Sequence, residues 1–346
     1  MTVDQRKQRI LEAIVALYAM DGEPVGSSLL SRYMDMAVSS ATLRNEMAAL
    51  TRLGLLEQPH TSAGRVPSAK GYRYYLDHVL TEQDPQAMPA AEKRQIDAAM
   101  AALDFEPEHL AQGAARLLAQ STGFTVAATT PAADDLCIAH FEVVQVGRYS
   151  AAVLAVTANG AVRTRVARVE RGLTRADAAK VAALLNSGLT FVSLADLTPR
   201  LLAAFAAQLA PDSETLMPVV MAAAALLEEA ARPKAYLEGV ENMLRWPQLH
   251  SCLPDLLHTF NSGEAAGRLI TPPTNRVSVL LGDDLEHPMP GLCIMSSRYL
   301  AGGGLTGSIA LIGPTRMPFQ QLMPRLEYFT AKLGQYMSGK TIQEEI

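Results

Sequence analysis

Leu43, Met47 and Leu50 recur at i, i+4 and i+7, so a helix from Ser39 to about Leu53 has one face that must be buried. Gly54 follows at the C′ position, where a left-handed backbone ends helices, and Val38-Ser39-Ser40 supplies the start. The flanking sequence extends this constraint into an order of elements. Upstream, Ile10, Leu11, Ile14, Leu17 and Tyr18 fall at helical spacing and stop at Asp21-Gly22. The link Glu23–Gly26 then leads to a second helix, Leu29–Tyr33, with Ser27 or Ser28 expected as its cap. Downstream, Leu55–Gln58 is strand-like, Pro59–Gly64 reads as a turn, and Arg65-Val66-Pro67 returns the chain. Ser68 caps a further helix carrying Tyr72, Tyr75, Leu76 and Val79. Helix, helix, helix, hairpin, helix is the order of a winged helix-turn-helix over residues 1–80.

The polar side of the third helix carries Asn45, Ala48 and Arg52, with Ala41, Thr42 and Arg44 at its N-terminal margins. Small residues permit close approach to a duplex, and Asn, Thr and Arg supply donors for base edges and phosphates. Ser39 and Ser40 stand at the helix start, where backbone N–H groups and the dipole favour an anion. A plain amphipathic surface helix would show the same stripe. The segment after it shifts the balance: His60, Thr61 and Arg65 lie in or beside a polar turn, with an Arg expected at its tip, and Lys70 and Arg73 follow. A wing works by setting such a side chain on the backbone or in the adjacent minor groove.

Charge permits this reading only locally. The whole chain of 346 residues carries a formal net charge of -5. Between Ser39 and Tyr75, Arg44, Arg52, Arg65, Lys70 and Arg73 stand against Glu46 and Glu57 alone, a local excess of +3. With 49% apolar and 19% charged residues the chain can bury a large interior, and its length predicts two or three domains. Cys137, Cys252 and Cys293 are odd in number and far apart, which suits free thiols in a reducing compartment. The first residues, MTVDQRKQR, contain no apolar signal region, and the longest apolar run, Leu216–Leu227, is too short for a bilayer. A cytoplasmic protein with no membrane partner is expected.

Beyond residue 80, the polar, proline-containing segment 81–92 reads as a linker. Helices are expected at about Ala91–Leu103 and Glu108–Gln120, then a strand, Phe124–Thr130. Ile138–Val146, Tyr149–Val156 and Val162–Glu170 form a meander turned at Gly147-Arg148 and Asn159-Gly160. Helices follow at about Arg175–Asn186, Pro199–Leu209, Leu216–Ala230, Lys234–Asn242 and Pro254–Asn261. Val277–Leu281, Leu292–Tyr299 and Thr306–Ile312 read as strands and Phe319–Met337 as a last helix, giving an α+β multidomain chain.

The run SSATLRNEMAALTRLGLLEQPHTSAGRVPSAKGYRYYLD (Ser39–Asp77), with PVGSSLLSRY before it, resembles the signature of the HrcA family of bacterial heat-inducible transcription repressors. The GGGLTGSIALIGPTRM stretch from Gly302 fits too. The resemblance implies a winged-helix domain, a GAF-like α/β domain (93–135 and 232–346) and a dimerisation domain (136–231) inserted into it. It implies a homodimer on double-stranded DNA, at an inverted-repeat operator called CIRCE upstream of chaperonin and DnaK operons, and activity tuned by the GroEL chaperonin. The candidate DNA contacts read from the helix and wing are Ser39, Ser40, Thr42, Arg44, Asn45, Arg52, His60, Thr61, Arg65 and Lys70, and no cofactor is expected.

Other signals carry less. The glycines from Gly302 lack the lysine of a phosphate loop and suit a hairpin turn. Cys252 and His258 are two potential ligands without partners, and His287 beside Asp283 and Asp284 has no nucleophile nearby in sequence. No catalytic constellation is found, so an enzyme is not expected. The alternative is a winged-helix regulator whose GAF-like domain binds a metabolite.

Overall fold

The computed structural model describes residues 4–34, 39–60, 63–80, 88–132, 137–158, 160–192, 196–274, 276–302 and 305–339. The chain opens with α1 (Gln5–Asp21), whose first turn is capped by the Asp4 side chain on the Lys7 amide and which ends at Gly22 with φ 72°. α2 (Ser27–Tyr33) is preceded by Gly26 as its cap, so neither Ser27 nor Ser28 plays that part and both are already helical. α3 (Ser40–Arg52) follows as expected, with Ser39 as its cap and Leu43, Met47 and Leu50 buried. β1 (Leu56–Glu57) pairs antiparallel with β2 (Val66–Pro67), Leu56 opposite Pro67. Ser68 then caps α4 (Ala69–Tyr74), which continues as a π-helical stretch over Tyr75–Leu80. Ile10, Ile14, Leu30, Leu43, Leu50, Tyr72 and Tyr75 close the core of this part.

α5 (Ala90–Ala101) begins inside the segment read as linker, so its last three residues are helical. Glu92 accepts from the Arg325 guanidinium at 2.5 and 3.1 Å, which gives that turn a tertiary anchor the sequence pattern does not display. α6 (Pro107–Thr122) leads into β3 (Thr125–Thr129). The chain then leaves this sheet. It forms β4 (Ile138–Gly147), β5 (Ser150–Thr157) and β6 (Val162–Arg168), an antiparallel meander in that order. Three helices follow: α7 (Arg175–Gly188), α8 (Pro199–Leu209) and α9 (Ser213–Ala231). α7 and α9 pack on one face of the meander.

The return to the first sheet corrects one expectation. Residues 234–242, read as helix, contain β7 (Ala235–Glu238) and the start of a 3₁₀ segment, Val240–Arg245. β7 pairs with β3 from Ala235 opposite Thr129 to Glu238 opposite Val126. Ladder pairing with a strand distant in sequence overrides local helix propensity here, and Gly239 with φ 69° stops the strand. α10 (Leu253–Phe260) precedes α11 (Gly263–Ile270), which the sequence reading leaves out. β8 (Ser278–Leu281), β9 (Leu292–Leu300), β10 (Thr306–Pro314) and α12 (Phe319–Met337) complete the chain. β9 and β10 form the expected hairpin, Leu300 opposite Thr306.

The five strands run β7-β3-β10-β9-β8 and every pairing is antiparallel. Alternating residues therefore face opposite layers. Val126, Ala128, Met295 and Leu311 join the core with α6 and α12, while Ala127, Ile294, Ala310 and Ile312 join Leu256 of α10 and Ile270 of α11. Cys252 and Cys293 are buried and unpaired, and Cys137 is half-buried. No helix among the described residues is long and apolar enough to cross a membrane.

Candidate nucleic-acid interface

Burying Leu43, Met47 and Leu50 turns the other side of α3 to solvent, where Ser39, Ser40, Ala41, Arg44, Asn45 and Arg52 are exposed and Thr42 is half-buried. Ser39 fixes the start of this face, its Oγ accepting from the Thr42 amide at 3.2 Å and lying 3.0 Å from the Thr42 hydroxyl. The acidic residue within α3, Glu46, points back toward α1, where Lys7 Nζ lies 3.3 Å from it. Asp4 first and Glu46 second raise the Lys7 pKa. Glu46 is thus offset, and Arg44, Asn45 and Arg52 form the exposed chemistry.

The hairpin sits beside this face, but Arg65 is not at its tip. The Arg65 backbone pairs with Val25 through two 2.9 Å hydrogen bonds, which adds Val25 as a third strand-like partner. The Arg65 Nε donates to Thr51 Oγ1 at 3.0 Å, and the Thr51 hydroxyl donates to the Met47 carbonyl at 2.9 Å. Arg65 is therefore held on the returning limb of the hairpin, just before β2, with its side chain against the last turn of α3. Gly64 makes this possible, because a Cβ there would stand 2.3 Å from the Val25 carbonyl oxygen. His60 is exposed on the turn and its carbonyl accepts from the Ala63 amide at 2.9 Å; Thr61 lies outside the described residues.

Lys70 lies at this same C-terminal end of α3, exposed, with Nζ donating to the Leu53 carbonyl at 3.0 Å. It offsets the negative end of the helix dipole and satisfies a terminal carbonyl. Ser68 Oγ adds a 2.6 Å bond to the Gly54 carbonyl. Arg73 departs from the basic cluster: its Nε donates to Asp284 at 3.1 Å, and the two form an ion pair across to the turn after β8. Its charge is committed there. Sequence reasoning missed Val25, Thr51 and Glu46 as supports. The signal for Val25 was a lone apolar residue between Pro24 and Gly26, and it is 1% exposed.

A model of the HrcA protein C-terminal domain matches residues 108–323. The chain belongs to the HrcA family. Two curated relatives, both named heat-inducible transcription repressor HrcA, agree along nearly their whole length. The one from Desulforudis audaxviator is 30% identical over 97% of this chain and 98% of its own. The one from Pelotomaculum thermopropionicum is 31% identical over 97% of each. HrcA is a family of transcription repressors and not of enzymes. A crystal structure of a hypothetical protein shares the fold, with a TM-score of 0.65 at 22% identity over 98% of this chain and 100% of that one.

Proposed function

We propose that the chain is a heat-inducible repressor that binds an inverted-repeat operator of the CIRCE type as a homodimer, each copy reading one half-site. The observation that carries this reading is the exposed Arg44–Asn45–Arg52 face of α3 with Arg65 anchored beside it on Thr51. We read residues 1–80 as a winged helix-turn-helix, with α3 as recognition helix and β1–β2 as wing. Asn45 and Arg44 would reach base edges. Ser39, Ser40, Thr42, Arg52, His60, Thr61, Arg65 and Lys70 would act on phosphates and the adjacent groove. The five-stranded sheet with its helices is the GAF-like domain in this reading.

The dimer contact is proposed on the segment between β3 and β7. One face of the β4–β5–β6 meander is covered by α7 and α9, and the other exposes Val144 at 44%, Val146 at 58%, Val162 at 54% and Val166 at 58%. Contiguous exposed valines on a folded sheet mark a contact surface, and a two-fold dimer presents one patch to itself. In the cytoplasm, folding assisted by the GroEL chaperonin would set the amount of active repressor, so that heat stress, by occupying the chaperonin, releases the chaperone operons.

A gel shift of purified protein on an inverted-repeat operator and a scrambled control tests the reading. Salt-sensitive retention of the repeat alone is expected, and equal binding to both duplexes overturns it. Operator occupancy that neither temperature nor added chaperonin alters would remove the GroEL arm. A second reading, a metabolite-responsive regulator, is favoured by a groove of about 830 Å³ between β9 and α12, lined by Val277, Arg298, Tyr299, Glu327, Thr330 and Gln335. A thermal-shift screen separates the two, since a ligand that binds only the folded state raises its melting temperature.

A further inference from the structure

The DNA-reading unit is joined to the body by more than its linker. Phe319, the first residue of α12, lies 6.4 Å from the Tyr72 ring and 6.3 Å from the Tyr75 ring, at interplanar angles of 64° and 49°. These three rings are 2%, 2% and 3% exposed. One turn of α12 onward is not needed for a second contact, because Gln320 Nε2 donates to Glu12 of α1 at 3.0 Å. Just before α12, the Arg316 guanidinium packs under the end of α1, where a Cβ on Gly22 would come within 2.6 Å of it. The same guanidinium lies 4.6 Å over the Trp246 ring, and Trp246 stacks on Phe124 at 6.0 Å and 5°. A continuous column thus runs from α1 through Arg316, Trp246 and Phe124 to the start of β3. The Arg73–Asp284 pair closes the seam at its exposed edge.

Units joined by a small polar contact swing freely, whereas a buried aromatic seam holds one angle. We infer that Arg316 and Phe319 are positioning residues for operator recognition: they fix the angle of α3 relative to the body and hence the half-site spacing a dimer accepts. This rests on the DNA reading above. In a two-fold dimer the two recognition helices must fall on one face of the duplex, about 34 Å or a multiple apart. Neither Arg316 nor Phe319 lies on the exposed face of α3, so losing them leaves the reading of one half-site intact. What changes is the tolerance for spacers of the wrong length, because a loosened seam lets each unit reach independently.

The test measures binding of the full-length protein to a single half-site and to inverted repeats whose spacer varies in single base-pair steps. The wild-type protein is expected to prefer one spacer by about tenfold over neighbours two base pairs away. Arg316→Ala and Phe319→Leu should flatten that preference to about threefold or less, with half-site affinity unchanged. Asp284→Arg, a surface change that opposes two arginines, should broaden it in the same direction, and the swap Arg73→Asp with Asp284→Arg should restore the sharp optimum. An unchanged spacer optimum in folded Arg316→Ala, or in Asp284→Arg should the buried variants not fold, overturns the inference. So does a loss of half-site affinity equal to the loss on the repeat. Failure of the wild-type protein to bind an inverted repeat of any spacing more tightly than scrambled DNA would instead bring down the DNA reading itself.

Discussion

Two faces of this molecule are turned to solvent by the same device and carry opposite chemistry. On α3, packing Leu43, Met47 and Leu50 inward leaves Arg44, Asn45 and Arg52 outside. On β5, packing Ala151, Val153 and Ala155 inward leaves a sheet face whose neighbours on β4 and β6 expose Val144, Val146, Val162 and Val166. A polyanion is matched by the first face and an apolar surface by the second. Burial pattern says which side of an element is free; only the residues on the free side say for what.

The largest expected effect concerns the scaffold under the polar face. A Cβ on Gly71 would stand 1.9 Å from the Leu55 carbonyl oxygen, a backbone atom that also accepts from the Ser68 amide at 3.2 Å. Gly71→Ala should therefore destabilise residues 4–80 by about 3 kcal/mol or more. A native gel shift and a melting curve read this together, and near-wild-type values for both would contradict the backbone packing described for β1 and α4. The sheet face comes next. Val144→Lys with Val166→Lys should weaken self-association by about 2–3 kcal/mol, or roughly 30- to 150-fold. Equilibrium sedimentation measures it, and an unchanged association constant would show that the copies meet elsewhere.

Within the polar face the two ends of α3 should separate. The Asn45 side chain is exposed and makes no hydrogen bond among the described residues, so Asn45→Ala should leave stability nearly unchanged and cost about 1–3 kcal/mol in operator discrimination. Lys70 donates to the Leu53 carbonyl, so Lys70→Ala should weaken all duplexes alike and also lower stability by about 0.5 kcal/mol. Competition binding against scrambled DNA distinguishes the two, and equal loss of discrimination in both would erase the difference between base and phosphate contacts.

How much of this was legible follows from where the constraint lies. The stripe on α3, the caps Ser39 and Ser68, the meander, the β9–β10 hairpin and the full span of α12 are local patterns, and periodicity reports them. β7 is not legible as a strand because its strand character comes from β3, more than a hundred residues earlier in sequence. A turn segment shows its length but not its pairing, so sequence sets Arg65 at a tip; the bridge to Val25 is what holds it on the returning limb beside β2. Arg73 counted as a free cation until Asp284 met it. Charge counts along a sequence see neighbours in the chain and not partners across the fold.

The smallest effect lies on a third kind of surface, a groove of mixed chemistry lined by Arg276 and Arg298 as well as Glu327. Glu327 is an exposed residue on α12 at the groove beside β9, and no cation pairs with it among the described residues. Partial burial of its carboxyl raises its pKa above the ordinary carboxylate value. A carboxylate whose folded pKa exceeds its unfolded one contributes stability that is complete below the unfolded pKa and lost as pH rises through the folded one. At neutral pH the ionised group is therefore a slight liability, and water screens it further. Glu327→Gln should stabilise the protein at pH 7 by no more than about 0.5 kcal/mol, with no gain at a pH below the unfolded pKa. Melting curves at the two pH values decide it. Destabilisation at pH 7 would mean that Glu327 has a cationic partner, and the groove would then belong with the paired surfaces rather than standing apart from both faces.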